Sequence, residues 1–288
     1  MFFILIIVQT SKKNVPLHSD KIYCKYMQKR HQDNNLYFEE QSVTTKKYVI
    51  PYIEQAKQID ENTSVLEIGC GQGGNLLPFL EKGCTCTGLD ISQDKILMGQ
   101  NFFKKHLYSS KIELFYDDIY KIDPKKFKKF DIIILRDVIE HLPDQEQLMK
   151  LMKSFLKEDG IVLFAFPPWR MPFGGHQQVL VNKALSRLPF YHILPKPVFR
   201  WILKLGKTDE ESVEGMLNIK QTGISIAKFR KIVKQNGYEF VKTTDWFINP
   251  NYEIKFNLKP RKLFFFNKIP YFRDFFTTSY YAIIRQKN

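Results

Sequence analysis

Between residues 64 and 166 short apolar runs alternate with amphipathic stretches, and few folds accept that rhythm. Residues 64–69 (SVLEIG) are apolar, rich in β-branched side chains and closed by a glycine, the pattern of a buried strand. Residues 75–82 (NLLPFLEK) then read as a helix, with Gly83 at its C-terminal cap. Residues 84–90 form a second strand, and 92–106 a second helix that Ser92 is placed to cap. Strands three and four fall at 111–116 and 130–136; the fourth (FDIIILR) is nearly all apolar, as a central parallel strand must be. An amphipathic helix at 144–156 leads into a fifth strand at 160–166. This alternation predicts an α/β chain: a doubly wound, Rossmann-like parallel sheet with helices on both faces.

Outside that stretch the rhythm breaks, which divides the chain into four. Residues 1–60 read as an N-terminal helical or cap segment, 61–166 as the core, and 167–222 as a basic, aromatic, proline-rich cap inserted after strand five. Residues 223–288 supply a helix at 225–236 and last strands at 238–246 and 277–285, with an aromatic insertion at 247–276. The four cysteines, Cys24, Cys70, Cys84 and Cys86, show no C-x-x-C or other metal-ligand spacing. They read as reduced thiols of a cytoplasmic protein, and no metal site is expected. The apolar start, residues 1–8, is too short to span a bilayer and lacks the flanks of a signal peptide. A surface-seeking tail, a packed strand or a misassigned start accounts for it better. The net charge of +14 calls for an anionic partner or reflects a lysine-rich proteome.

The loop after strand one, residues 67–74 (EIGCGQGG), carries the chemistry. Glycines there let the chain turn sharply and let a nucleotide approach the backbone. Gly69, Gly71 and Gly74 satisfy the dinucleotide pattern G-x-G-x-x-G, while Gly69, Gly71 and Gly73 satisfy G-x-G-x-G. Asp90, at the end of strand two, suits either, because a carboxylate there accepts bonds from two ribose hydroxyls. Three features separate the two. Glu67 stands two residues before the first glycine, where it can pair with the methionine ammonium of S-adenosylmethionine; a nicotinamide cofactor has no such cation. Asp117 and Asp118 end strand three, in reach of an adenine amino group. Residues 136–143 (RDVIEHLP) complete the series after strand four.

As a set, these blocks resemble the class I S-adenosylmethionine-dependent methyltransferases, in the broad small-molecule (type 11-like) group with E-x-G-x-G-x-G, L-D-x-S and V-x-E-H-L blocks. The resemblance covers about residues 60–166 and the closing strands. It implies a seven-stranded sheet whose last strand is antiparallel and inserted between strands five and six. It also implies that Glu67, Gly69, Gly71, Asp90 and Asp118 hold the cofactor, with Gln72, Gly73, Ile91, Asp117 and Ile119 close by.

Methyl transfer needs an aligned acceptor and, for a hydroxyl, a group to take its proton. His141 follows strand four and His176 follows strand five, on the edge where this fold binds ligands. Either is a candidate base; His176, between Gly-Gly and Gln-Gln, is slightly preferred and expected to face a pocket. The tetrapeptide FPPW, residues 166–169, looks like the Pro-Pro-aromatic signature of amino-methylating enzymes. It follows the wrong strand, however, and begins with Phe166, which has no side-chain acceptor; it reads as a rigid exit that aims Trp169 and the next loop over the pocket.

Residues 170–207 hold seven Lys and Arg, interleaved with aromatics, and no acid. That composition suits peripheral contact with the anionic inner face of a membrane, or a cap packed on the sheet. The expected function is O-methylation of a small molecule, a glycan sugar or a lipid-linked intermediate. An RNA or DNA methyltransferase rests on charge alone, so nucleic acid is not the expected partner. An NAD(P)-dependent oxidoreductase rests on the alternative glycine pattern, and a non-catalytic cofactor-binding subunit is the fourth reading.

Overall fold

The computed structural model describes residues 33–266 and 268–287, so the apolar start at 1–8 and Cys24 lie outside the described residues. One sheet organises the molecule. Its strands are β1 (Ser64–Ile68), β2 (Thr85–Asp90), β3 (Ile112–Tyr116), β4 (Phe130–Arg136), β5 (Leu156–Phe166), β6 (Tyr238–Ile248), β7 (Arg261–Lys262) and β8 (Ser279–Gln286). Their order is 3-2-1-4-5-8-6-7. Strands β1 to β5 are parallel, and β8 runs antiparallel between β5 and β6. The inserted antiparallel last strand is therefore as expected. The eighth strand is an addition: two residues of β7 pair with Trp246 and Ile248 at the sheet edge, too short a run to leave a sequence pattern.

The centre of the sheet is buried on both faces. In β4, Ile133 and Leu135 enter one apolar cluster while Ile132 and Ile134 enter the other, the period-two alternation of a strand covered on both sides. Strand β5 starts at Leu156, four residues earlier than its glycine suggests, because Leu156 is fully buried opposite Phe130.

Helix α1 (Asn34–Thr44) is capped by Asp33, which accepts from the N–H groups of Asn35 and Leu36. It continues through a π turn at Thr45–Val49 into α2 (Ile50–Ile53). The short α3 (Leu77–Glu81) has a proline in its first turn, and Gly83, with φ of +87°, ends it as expected. Ser92 stands at the N-cap position of α4 (Gln93–Phe103), but its side chain makes no capping bond; its N–H donates instead to Asp90 Oδ1 at 2.8 Å. Helix α5 (Gln145–Phe155) packs under β5 and is capped by Asp144.

The inserted cap holds α6 (Lys183–Arg187), α7 (Lys196–Leu205) and α8 (Glu210–Thr222), with α7 and α8 closed around a small apolar cluster that includes Phe199, Leu203 and Met216. Helix α9 (Ile226–Gln235) leads to β6. The aromatic insertion then forms α10 (Asn251–Phe256), which packs against α1: Thr44 Oγ1 donates to Asn251 Oδ1 at 3.3 Å. No described helix is long and apolar enough to cross a membrane.

Candidate functional site

The chain leaves β1 through three left-handed glycines, Gly69 (φ +74°), Gly71 (+57°) and Gly73 (+84°). A side chain at Gly69 would have its Cβ 2.4 Å from a methyl of Val138, so the loop lies directly on the turn after β4. At Gly71 the nearest obstacle is Lys95 Cδ at 3.7 Å, which leaves the backbone open to a ligand. The N–H groups of Gly69 and Cys70 both donate to the carbonyl of Leu89, tying the loop to the end of β2. Asp90 finishes the junction: its buried carboxylate accepts from Gly71 N–H at 2.7 Å and from Ser92 N–H at 2.8 Å. Each oxygen retains a lone pair for a further donor.

Glu67 is fully buried beneath this loop. Its Oε1 accepts from Asn75 Nδ2 at 2.6 Å. Asn75 Oδ1 in turn accepts from Arg136 Nη1 at 2.6 Å and from Thr45 Oγ1 at 2.9 Å. Glu67 Oε2 has no partner. Burial pushes the Glu67 carboxyl up to about 8, against the pull of the Asn75 bond and the Arg136 charge. A buried carboxylate with one orphan oxygen is a socket for a cation. Sequence reasoning found Glu67 but missed Asn75 and Arg136; the signal was an arginine ending an otherwise apolar strand.

On the adenine side, Asp117 Oδ1 accepts from Asp118 N–H at 2.8 Å. Asp118 gives one oxygen to Tyr120 N–H and the other to Lys121 Nζ, both about 3 Å away. Ile119 is buried and Ile91 exposed, while Gln72 donates to Met98 Sδ at 3.4 Å. Above the end of β4 lies a small polar cleft lined by Tyr37, Glu40, Gln41, Arg136, Asp137 and α10. Helices α1 and α10 roof it; α10 falls in the aromatic insertion, where the sequence pattern showed no helix.

His141 and His176 do come together, with ring centroids 4.8 Å apart edge to face. The pocket-facing His176 expected from its polar neighbours is not what the fold contains: the residue is only 2% exposed. The Gly174–Gly175 turn folds inward, His176 adopts φ of +59°, and buried Gln177 donates to the carbonyl of Pro172 at 3.0 Å. Burial pushes His141 down to about 4, helped by the Lys95 charge, and holds His176 well below the usual imidazole range. Trp169 packs its ring against His192 and under Lys220 Nζ, and its backbone N–H donates to the carbonyl of Ile224. The FPPW exit thus anchors the cap to the segment between α8 and α9.

Residues 43–201, more than half of the 288, match a family model described as a methyltransferase domain. The chain belongs to that methyltransferase-domain family. Membership sets aside the dinucleotide reading of the glycine loop. A ubiquinone biosynthesis O-methyltransferase of Pelagibacter ubique is 27% identical over 151 residues, 52% of this chain and 55% of that protein. A (S)-tetrahydroprotoberberine N-methyltransferase of Eschscholzia californica is 34% identical over 116 residues, 38% of this chain and 31% of that protein. The methyltransferase-domain chain thus spans only about a third to a half of the length of such relatives.

Among solved structures, the magnesium protoporphyrin IX methyltransferase of Synechocystis PCC 6803, with bound S-adenosylhomocysteine, superposes with a TM-score of 0.51 at 16% identity, covering 88% of this chain and 84% of that one. The CcbJ methyltransferase of Streptomyces caelestis gives 0.53 at 10% identity, covering 86% and 90%. These neighbours share the fold. S-adenosylmethionine, the cofactor implied by the sequence resemblance, suits the groups in place: the orphan Glu67 Oε2 matches its ammonium, and the bare Gly71 backbone and Asp90 carboxylate match a ribose.

Proposed function

We propose that the chain is an S-adenosylmethionine-dependent methyltransferase acting on an oxygen of a small molecule, a glycan sugar or a lipid-linked intermediate. The unpartnered, buried Glu67 Oε2 below an open glycine loop carries the cofactor assignment. When bound, the cofactor supplies an electrophilic methyl group on a sulfonium. Glu67 takes the cofactor's ammonium, Asp90 its ribose hydroxyls, and Asp117 or Asp118 its adenine amino group, with Gly69, Gly71, Gly73, Ile91 and Ile119 shaping the bed. The cap and the α1–α10 roof exclude water and align the acceptor.

Oxygen is favoured because the acceptor's proton has somewhere to go. His141 and His176 are buried and unprotonated at neutral pH, with both Nε2 atoms unpartnered. The Pro-Pro-aromatic signature of amino-methylating enzymes does not follow β4, where Asp137 and Val138 stand instead. Contact with an anionic membrane belongs to the same proposal, since the exposed aromatic and basic residues between 256 and 272 would bring the cleft to lipid-borne substrate. A nucleic-acid acceptor is the alternative, supported by the net charge of +14.

Calorimetric titration with S-adenosylhomocysteine, NAD and NADP tests the cofactor assignment. Micromolar binding of the first alone is expected. Asp90→Ala should weaken it about 100-fold, as two charge-assisted ribose bonds are lost. Tight binding of a dinucleotide, or unchanged affinity in Asp90→Ala, would overturn it.

A further inference from the structure

Beside the glycine loop lies a second set of buried groups that cofactor binding leaves unexplained. Glu140, His141 and His176 each offer a ligand atom, and these atoms all lie within 4.8 Å of one another. The three residues are 3%, 7% and 2% exposed. Both carboxylate oxygens of Glu140, and Nε2 of each histidine, are buried without a hydrogen-bond partner. Four orphaned polar atoms in one place is a heavy burden for a fold, at about 1–3 kcal/mol for each group left unsatisfied. The residues converge from two strand ends: Glu140 and His141 from the 3-10 turn after β4, His176 from the left-handed turn after β5.

We propose that Glu140, His141 and His176 bind one divalent transition-metal ion. Two imidazoles and a carboxylate form a borderline set that prefers ions such as zinc, cobalt or iron(II) over magnesium or calcium. Bonds of about 2.0–2.2 Å place tetrahedral ligand atoms roughly 3.4 Å apart, so closing from within 4.8 Å needs only small side-chain rotations. A single cation would satisfy the orphaned atoms together. Three protein ligands leave a coordination position open, as in catalytic rather than structural zinc sites.

The cluster also stands where an acceptor belongs. Val138, two residues before Glu140, lies against Gly69, and Lys95 of α4, whose side chain passes beside Gly71, is within electrostatic range of His141. The inference deepens the methyltransferase reading and rests on it for this last step. An acceptor hydroxyl bound at the open position would give its proton to solvent; its oxygen lone pair would form the new C–O bond as the sulfonium's S–CH3 bond breaks, leaving the cofactor as a neutral thioether. The two histidines would then act as ligands to the ion.

The test is titration of chelator-treated, full-length protein with Co²⁺, followed by visible absorption, with S-adenosylhomocysteine binding measured in parallel. A d–d band saturating at one Co²⁺ per chain is expected. His176→Ala and Glu140→Gln should each weaken Co²⁺ binding more than the about 10–100-fold typical of losing an outer-shell partner, while S-adenosylhomocysteine still binds. Since a core variant can misfold, X-ray absorption of the wild-type zinc complex is the second measurement. It should show nitrogen and oxygen ligands only. A folded protein that gives no stoichiometric band, a band indifferent to both substitutions, or sulfur in the zinc shell would each overturn the site. Failure to bind S-adenosylhomocysteine with the band intact would instead remove the methyltransferase reading and leave the metal site standing.

Discussion

Glu67 shows how a single side chain can report on ligand occupancy. Burial lifts its carboxyl from the ordinary 4.5 to about 8. A carboxyl raised on folding favours the protonated native state, so its contribution to stability is complete below the unfolded pKa and is lost as pH climbs through about 8. An ammonium delivered against Oε2 reverses the balance and expels the proton. S-adenosylhomocysteine binding at pH 7 should therefore release about one proton, measurable by calorimetry in buffers of different ionisation enthalpy. Glu67→Gln should abolish the release and weaken binding. Proton release unchanged in Glu67→Gln would place the cation elsewhere. At this scale the placement of Glu67, the glycines and Asp90 at the ends of β1 and β2 was legible, because each lies where an apolar run gives way to a turn. The pairing of Asn75 with Arg136 and the packing of His176 on His141 were not, because each joins residues far apart in the chain.

Strands β1 to β5 could be read from sequence since each is apolar over its length and bounded by turn residues, a local signal of long-range burial. The elements that cover the site send a weaker signal. Helix α1 has only Phe38, Glu40 and Thr44 buried, with no regular apolar stripe. It is held by Phe38, whose ring lies 4.5 Å from Phe102 and 6.0 Å from Phe103 on α4. Phe103 is also the side chain that crowds Gly73. One aromatic stack thus couples the roof to the floor of the cofactor loop. Phe38→Ala should cost about 3 kcal/mol in urea unfolding, and it should also weaken S-adenosylhomocysteine binding. Full destabilisation with unchanged cofactor affinity would mean that α1 stabilises the molecule without shaping the site.

Among the described residues the excess of positive charge is unevenly compensated. The cap, free of acids between 170 and 207, is answered from α8: Arg200 pairs with Glu210 and Glu214, and Lys204 with Glu210. Between 256 and 276 the sole acid is Asp274, which is buried. Lys259, Arg261, Lys262 and Lys268 are exposed there beside Phe264, Phe265 and Tyr271, the last three 73%, 89% and 61% exposed. Phe190 of the cap meets Phe275 at 6.0 Å, so cap and insertion share one rim. Exposed rings set among cations match the interface of an anionic bilayer, where rings enter the acyl boundary and lysines meet head groups. The chain should co-sediment with phosphatidylserine vesicles and be released by salt. Phe264→Ser and Phe265→Ser should each cut partitioning about tenfold, the cost of one unburied ring. Binding to RNA that falls with salt, with no vesicle binding, would shift the anionic partner to nucleic acid. Vesicle partitioning separates the two, because charge draws the chain to either polyanion and rings can also stack on bases, whereas only a bilayer gives those two phenylalanines an apolar phase to enter.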